Sequence, residues 1–313
     1  MKREIPENVL RQWGLEDAEL LEEPADEGSP ARVIFRQALR NSNGDIYILE
    51  CLPPEKLTSR LKQAQMLLML QIHHFEEVPA WLPTLDGNLG FQYANAFWQL
   101  RKWIPGVPLP RENYASDSWR GRACADLLVE LKEKSSGIPA IEHFELGHYI
   151  SHLMRYVRAH NPALYSDLQS ILEALEPFFR MEAGFPVRFC HGDFHPLNII
   201  WGDQQINALI DWEFCGFKLE AYDLANMLGC IGMDAPENLT NGMALELVRA
   251  LSGKSFLSKD SWQWLPETIA AQRFAWMREW CFENDREMMV QELDFIWLLL
   301  DNAELLRSKW SCI

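Results

Sequence analysis

The stretch Phe189-Cys190-His191-Gly192-Asp193-Phe194-His195-Pro196-Leu197-Asn198-Ile199-Ile200-Trp201-Gly202-Asp203, followed by Ala208-Leu209-Ile210-Asp211-Trp212-Glu213, decides how this chain is read. An apolar run ends at Cys190, and a polar loop extends from His191 to Asn198. Apolar runs return at 198–201 and 206–210, a pattern that predicts a tight β-hairpin. Asp203, next to Gly202, belongs to the turn chemistry of that hairpin. Hairpin geometry brings Asn198 and Asp211 to one mouth. An amide carbonyl and a carboxylate are both oxygen donors, the kind Mg²⁺ takes together with water and phosphate. Asp193, five residues before Asn198, is placed to accept a proton from a substrate hydroxyl or to orient it.

Outward from this island the sequence changes character on either side. Before it lie strand-like runs at 32–39 and 45–52, joined by Asn41-Ser42-Asn43-Gly44, where Asn-Gly favours a hairpin. A helix is predicted at 55–73, with Leu57, Leu61, Met66, Leu67 and Leu70 as its buried positions. Further strands are predicted at 78–85 and 91–103, around Asp86-Gly87. Ile104-Pro105-Gly106-Val107-Pro108 then punctuates the chain. Beyond it the spacing predicts helices at 116–134, 140–158 and 163–181, then from 221 to the end, including 267–282 and 286–306. The expected plan is α+β: a small strand-rich lobe at 1–104, and a larger, mostly helical lobe at 105–313 that carries the hairpin. A cleft between two such lobes is a usual ligand site.

Composition sets limits on partners. The 313 residues carry a formal net charge of −16, from 29 basic and 45 acidic side chains. Such a surface repels nucleic acid. The apolar runs at 66–70 and 295–300 are too short to span a bilayer, and residues 1–8 contain no apolar signal, so no membrane partner is expected. Seven scattered cysteines without a C-x-x-C pair point to reduced thiols in a cytoplasm.

The H-x-D-x-x-x-x-N spacing, followed thirteen residues later by Asp211, matches a kinase catalytic loop and its metal-binding Asp. The wording H-G-D-F-H-P-x-N, then I-D-W-E, resembles the aminoglycoside phosphotransferase and choline kinase-like family of small-molecule kinases. The likeness runs over about 30–307, with its core at 189–226. It implies a protein kinase-like two-lobed fold, with a small antiparallel sheet in the N-lobe. It also implies transfer of the γ-phosphoryl group of ATP, with Mg²⁺, to the hydroxyl of a small molecule: an amino alcohol, an amino sugar, a sugar or an aminoglycoside. On the same resemblance Asp193 is the catalytic base, and Asn198 and Asp211 are the metal ligands. His195 stands where protein kinases carry a phosphate-contacting Lys. His191 braces the loop, and Asp223 holds its backbone N–H groups. Lys102, Trp103 and Ile104, within the segment 101–106, correspond to the adenine-binding hinge.

Two family features are absent. No G-x-G-x-x-G or G-x-x-x-x-G-K-[ST] occurs, and 24–29 offers only Gly28 where a phosphate-covering loop is expected. Glu50 stands where the third strand ordinarily supplies a Lys to the α- and β-phosphates, and the following helix offers Gln63 and Gln65 in place of the partner Glu. Arg36, with Arg32 and Lys56, is a candidate replacement cation in the nucleotide site. This change motivates an alternative, a catalytically silent nucleotide- or metabolite-binding relative. A protein kinase is disfavoured, because Asp211-Trp212-Glu213 replaces D-F-G and nine residues before Asp223 leave no room for an activation loop. Trp276, Trp280 and Trp297, with Glu279, Asp285 and Asp294, lie in the C-terminal helices where the acceptor site is expected. The helical spacing of Phe274, Trp276, Met277 and Trp280 instead predicts core for most of that set.

Overall fold

The computed structural model describes residues 5–22, 33–140 and 142–311. The expected positions of Arg32 and of the 24–29 loop lie outside them. The chain packs as two units, one formed by the residues up to Val107 together with Asn198–Glu213, the other by Pro108–Leu197 and Phe214 onward.

Among the described residues, the first unit is built on a six-stranded sheet. Its strands are β1 (Glu19–Leu21), β2 (Phe35–Arg40), β3 (Ile46–Leu52), β4 (Trp81–Leu82), β5 (Phe91–Tyr93) and β6 (Ala96–Lys102). The order is β1-β2-β3-β6-β4, with β5 also on β6, and every pairing is antiparallel. The expected strand at 91–103 is broken, because Ala94 and Asn95 both adopt left-handed φ, 51° and 58°. That pair makes a two-residue hairpin turn of the kind whose twist matches the flanking strands.

Period-two alternation gives the sheet two different faces. Leu39, Leu49, Cys51, Ala96, Trp98 and Leu100 form an apolar core with Val9, Leu10 and Leu15 from the first residues described. The opposite face is polar at one end. Arg36 opposes Glu50, and Glu50 opposes Gln99, two residues before Arg101. Helix α2 (Leu57–Ile72) follows a short helix α1 (Glu7–Leu10) in chain order and buries Arg60, Gln63, Ala64, Leu67 and Leu70. Only Leu67 and Leu70 of the expected apolar set are fully buried. The helix is rotated so that two polar residues lie inside.

The hairpin of β8 (Ile199–Trp201) and β9 (Ile206–Leu209) belongs to this unit, not to the 105–313 stretch in which the sequence reading placed it. Its attachments explain why. Val107 bridges to Trp201, Leu209 N–H donates to Glu77 O at 2.8 Å, and Asn207 Nδ2 donates to Pro105 O at 2.9 Å.

The second unit is mainly helical. It contains α3 (Ser118–Lys134), α4 (Leu146–His160), α5 (Pro162–Glu182), α6 (Tyr222–Asp234), α7 (Gly242–Ser252), α8 (Lys259–Gln263), α9 (Leu265–Glu283), α10 (Arg286–Asp301) and α11 (Ala303–Ser311). Helix α3 packs on α7, α4 on α5, and α9 on both α6 and α10. The expected helix at 140–158 begins later, at Leu146. His143 is bridged to Phe217 and Phe144 N–H donates to Phe217 O, which keeps that approach extended. The expected helix at 286–306 is divided at Asn302, whose Nδ2 caps Leu298 O at 2.8 Å. The strand expected to end at Cys190 forms as β7 (Val187–Cys190) and pairs with β10 (Gly216–Leu219), which was not anticipated from sequence; together they frame the polar loop. No helix among the described residues is long and apolar enough to cross a membrane.

Candidate active site

In the helical unit the loop after β7 is fixed by its own backbone. The Asp223 carboxylate, on the first turn of α6, accepts His191 N–H at 2.7 Å and Gly192 N–H at 2.8 Å. Burial pushes the Asp223 carboxyl up from the usual range, while those two N–H donors and the nearby Arg188 and Lys218 pull it back. His191, fully buried, accepts Asp193 N–H on Nδ1 at 3.2 Å. Gly192 sits at φ +86°, and a Cβ there would meet Phe214 O at 2.2 Å. Only glycine fits that position.

The loop presents Asp193, half-buried. Its Oδ1 accepts Asn226 Nδ2 at 3.4 Å, and its Oδ2 lies 3.5 Å from His195 Nε2. His195 Nδ1 accepts Leu197 N–H at 3.3 Å, which leaves the proton of a neutral ring on the Nε2 that faces Asp193. Asn226 also donates to Phe194 O at 3.3 Å. It was not singled out from sequence, although its place three residues after Asp223 puts it on the same side of α6.

Beside His195 the same unit holds a cavity of about 410 Å³. Trp276 and Trp280 line it, stacked at 6.2 Å, and the His195 ring meets Trp276 edge-on. Phe274 and Met277 are core, as their spacing predicts, but the two tryptophans are half-buried cavity wall. Arg273 forms a two-toothed pair with the fully buried Glu292, which also accepts Trp280 Nε1 at 3.1 Å. Tyr114 Oη donates to Asp234 at 2.5 Å, and Arg111 completes the polar lining. The cavity therefore offers both signs of charge and an aromatic face.

The chain passes into the first unit between Leu197 and Asn198. Ile199 pairs with Leu209, and Ile210 N–H donates to Asn198 O at 2.8 Å, so Asn198 stands across the ladder from the residue before Asp211. Asp211 adopts φ +60°, a left-handed conformation that Asp tolerates better than most side chains. Among the described residues no group of three or more His, Cys, Asp or Glu could hold a metal. A two-donor set of amide and carboxylate oxygen fits Mg²⁺, which uses few protein ligands and completes its shell with water and phosphate.

Asp211 also lines a small cavity with Arg36, Glu50, Arg60, Gln63 and Arg101. Glu50 is buried, and Arg36 Nε donates to its Oε1 at 2.7 Å. Arg60 Nη1 lies 3.8 Å from Glu50 Oε2 and 3.3 Å from Gln63 Oε1. Burial lowers the Arg101 guanidinium to about 10. Lys56, the other expected cation, is engaged with Glu213 at 2.9 Å. Arg60 was not singled out from sequence, and Arg101 was read only as the start of the hinge segment. The signal was a change of sign: a carboxylate on the strand asks for a cation, not a Glu, on the helix. Of the three expected hinge residues, Trp103 already donates its backbone N–H to Ile46 O at 3.0 Å, inside the sheet. Lys102 ends β6 with an exposed side chain, and Ile104 is half-buried.

Residues 24–265 match the model of the phosphotransferase enzyme family. A solved aminoglycoside phosphotransferase from Alicyclobacillus acidocaldarius superposes with a TM-score of 0.64 at 14% identity, covering 99% of this chain and 96% of its own. An amicoumacin kinase in complex with AMP-PNP and Ca²⁺ gives a TM-score of 0.68 at 11% identity, covering 94% and 91%. These likenesses show a protein kinase-like fold. A homoserine kinase from Mesorhizobium japonicum is 38% identical over 77 residues, which span 23% of this chain and 24% of that enzyme. With its family match over more than half its length, the chain belongs to the phosphotransferase enzyme family.

Proposed function

We propose that this protein is an ATP- and Mg²⁺-dependent kinase that transfers the γ-phosphoryl group to a hydroxyl of a small molecule. The observation that carries the reading is the loop 191–198: Asp223 and His191 fix its backbone, and His195 and Asn226 hold the Asp193 carboxylate. Asp193 takes the proton of the acceptor hydroxyl as its oxygen forms a bond to the γ-phosphorus and the bond to the ADP oxygen breaks. His195 steadies that carboxylate and offers Nε2–H to a phosphate oxygen. Asn198 and Asp211 would hold Mg²⁺, which neutralises charge on the phosphates. Lys102, Trp103 and Ile104 supply the adenine edge through whichever backbone groups the sheet does not use.

The acceptor binds in the cavity beside His195. Its tryptophans suit a ring or an ammonium group, and Asp234 and Arg273 suit a molecule that carries an amine or a carboxylate. The acceptor panel is therefore amino alcohols, amino sugars, sugars and aminoglycosides, with homoserine added because relatives are named for it. The change at Glu50 favours one other reading, a nucleotide-binding relative without turnover. Incubation with γ-labelled ATP, Mg²⁺ and each acceptor separates them. Transfer of label, lost in Asp193→Asn, supports the kinase; binding of MgATP with no transfer to any acceptor supports the silent relative.

A further inference from the structure

We propose that Arg36, Arg60 and Arg101 bind the nucleotide phosphates in place of the missing strand lysine, with Glu50 as the carboxylate that orients them. The proposal rests on the kinase reading above and names the residues of its phosphate site.

In kinases of this architecture a strand Lys grips phosphate, and a helix Glu holds the Lys in place. Here the signs are exchanged. The strand β3 carries Glu50, and the helix α2 carries Arg60 at 3.8 Å. A second guanidinium, Arg36, reaches the same carboxylate from β2 at 2.7 Å. Arg101 lies on the same sheet face from β6, and all three line one cavity with Asp211. The holder and the held have changed sides, while the cation still faces the side of the unit where the expected metal ligand lies.

Charge makes the case stronger. Three guanidiniums share that cavity with two carboxylates, Glu50 and Asp211. The side chains of Glu50 and Arg60 are only 4% and 8% exposed, and Arg101 is 6% exposed. Guanidinium suits phosphate, because its planar fork donates two parallel N–H groups. Glu50 therefore does not repel a triphosphate, since its charge is spent on Arg36 and Arg60.

The test is titration calorimetry with MgADP and, separately, inorganic triphosphate, which has no adenine. Arg36→Gln and Arg60→Gln should each weaken both ligands about tenfold. Lys62→Gln, exposed on the same helix, should change neither. The double change Glu50→Lys with Arg60→Glu restores the ordinary polarity and should recover affinity that Arg60→Glu alone loses. Thermal unfolding checks each fold. Should the Arg60 variants fail to fold, Arg36→Gln, whose side chain is 19% exposed, carries the test. Unchanged affinity in Arg36→Gln and Arg60→Gln, with phosphoryl transfer by the wild type intact, overturns the arginine site and leaves the kinase reading standing. No MgADP binding by the wild type overturns both.

Discussion

Asp223 accepts the backbone N–H of Gly192 at 2.8 Å, from thirty-one residues further along the chain. With the bond to His191 N–H, this makes one carboxylate the clamp of the whole loop that presents Asp193. Both partners are constrained. Asp223 is 3% exposed, and Gly192 has no room for a Cβ. Gly192→Ala should cost about 3 kcal/mol of stability, from the left-handed φ and the clash with Phe214 O. Asp223→Ala should cost at least about 2 kcal/mol, because two buried N–H groups lose their acceptor. Urea unfolding measures both, and a loss below about 0.5 kcal/mol for either would show that the loop is held some other way.

Asp193→Asn removes the proton acceptor and keeps the shape. The turnover rate should fall by about 10²- to 10⁴-fold, with little change in KM for ATP. Steady-state kinetics with the best acceptor checks this. A large rise in KM at constant kcat would make Asp193 a binding residue and not the base.

The cavity wall depends on a buried charge pair. Arg273→Met leaves Glu292 uncompensated in a fully buried position and should cost about 3–5 kcal/mol. Arg180→Ala, whose partner Glu176 is about half exposed, should change stability by less than about 0.5 kcal/mol. Comparing the two by denaturant unfolding tests whether burial, not charge pairing as such, sets the cost.

Several parts of this arrangement were legible in the sequence, for identifiable reasons. The loop and hairpin at 189–211 declare themselves through local rules: apolar runs, a Gly-Asp turn and a fixed spacing of polar residues. The helices showed in their periodicity. What was hidden depends on partners distant in sequence. The strand β10 has no signal of its own and exists because β7 needs a mate. The polar positions Arg60 and Gln63 look like solvent-facing residues on α2 until Glu50 is known to lie beneath them. Trp276 and Trp280 have core spacing, and only the packing of the second unit turns them toward a cavity. The unit to which the hairpin belongs is likewise set by bonds to Glu77 and Pro105, about a hundred residues away.

The Cys230 thiol, on the same cavity, is pushed up to about 12, chiefly by burial. At pH 8 it remains protonated, and the thiolate is the reactive form. Iodoacetamide at that pH should alkylate Cys230 at least about tenfold more slowly than a free thiol, and activity should survive the treatment. Rapid labelling of Cys230 on peptide mapping, with loss of activity, would contradict this.

Phosphoryl transfer by the 191–211 loop and hairpin is visible by ³¹P nuclear magnetic resonance of ATP, Mg²⁺ and the acceptor panel. Wild-type protein should convert ATP to ADP with a new phosphate-ester signal from one acceptor class, and Asp193→Asn and Asp211→Ala should give none. An ester signal that persists in Asp193→Asn at the wild-type rate would contradict the assigned base. ATP that stays whole with every acceptor, while calorimetry shows it bound, would contradict the claim of catalysis.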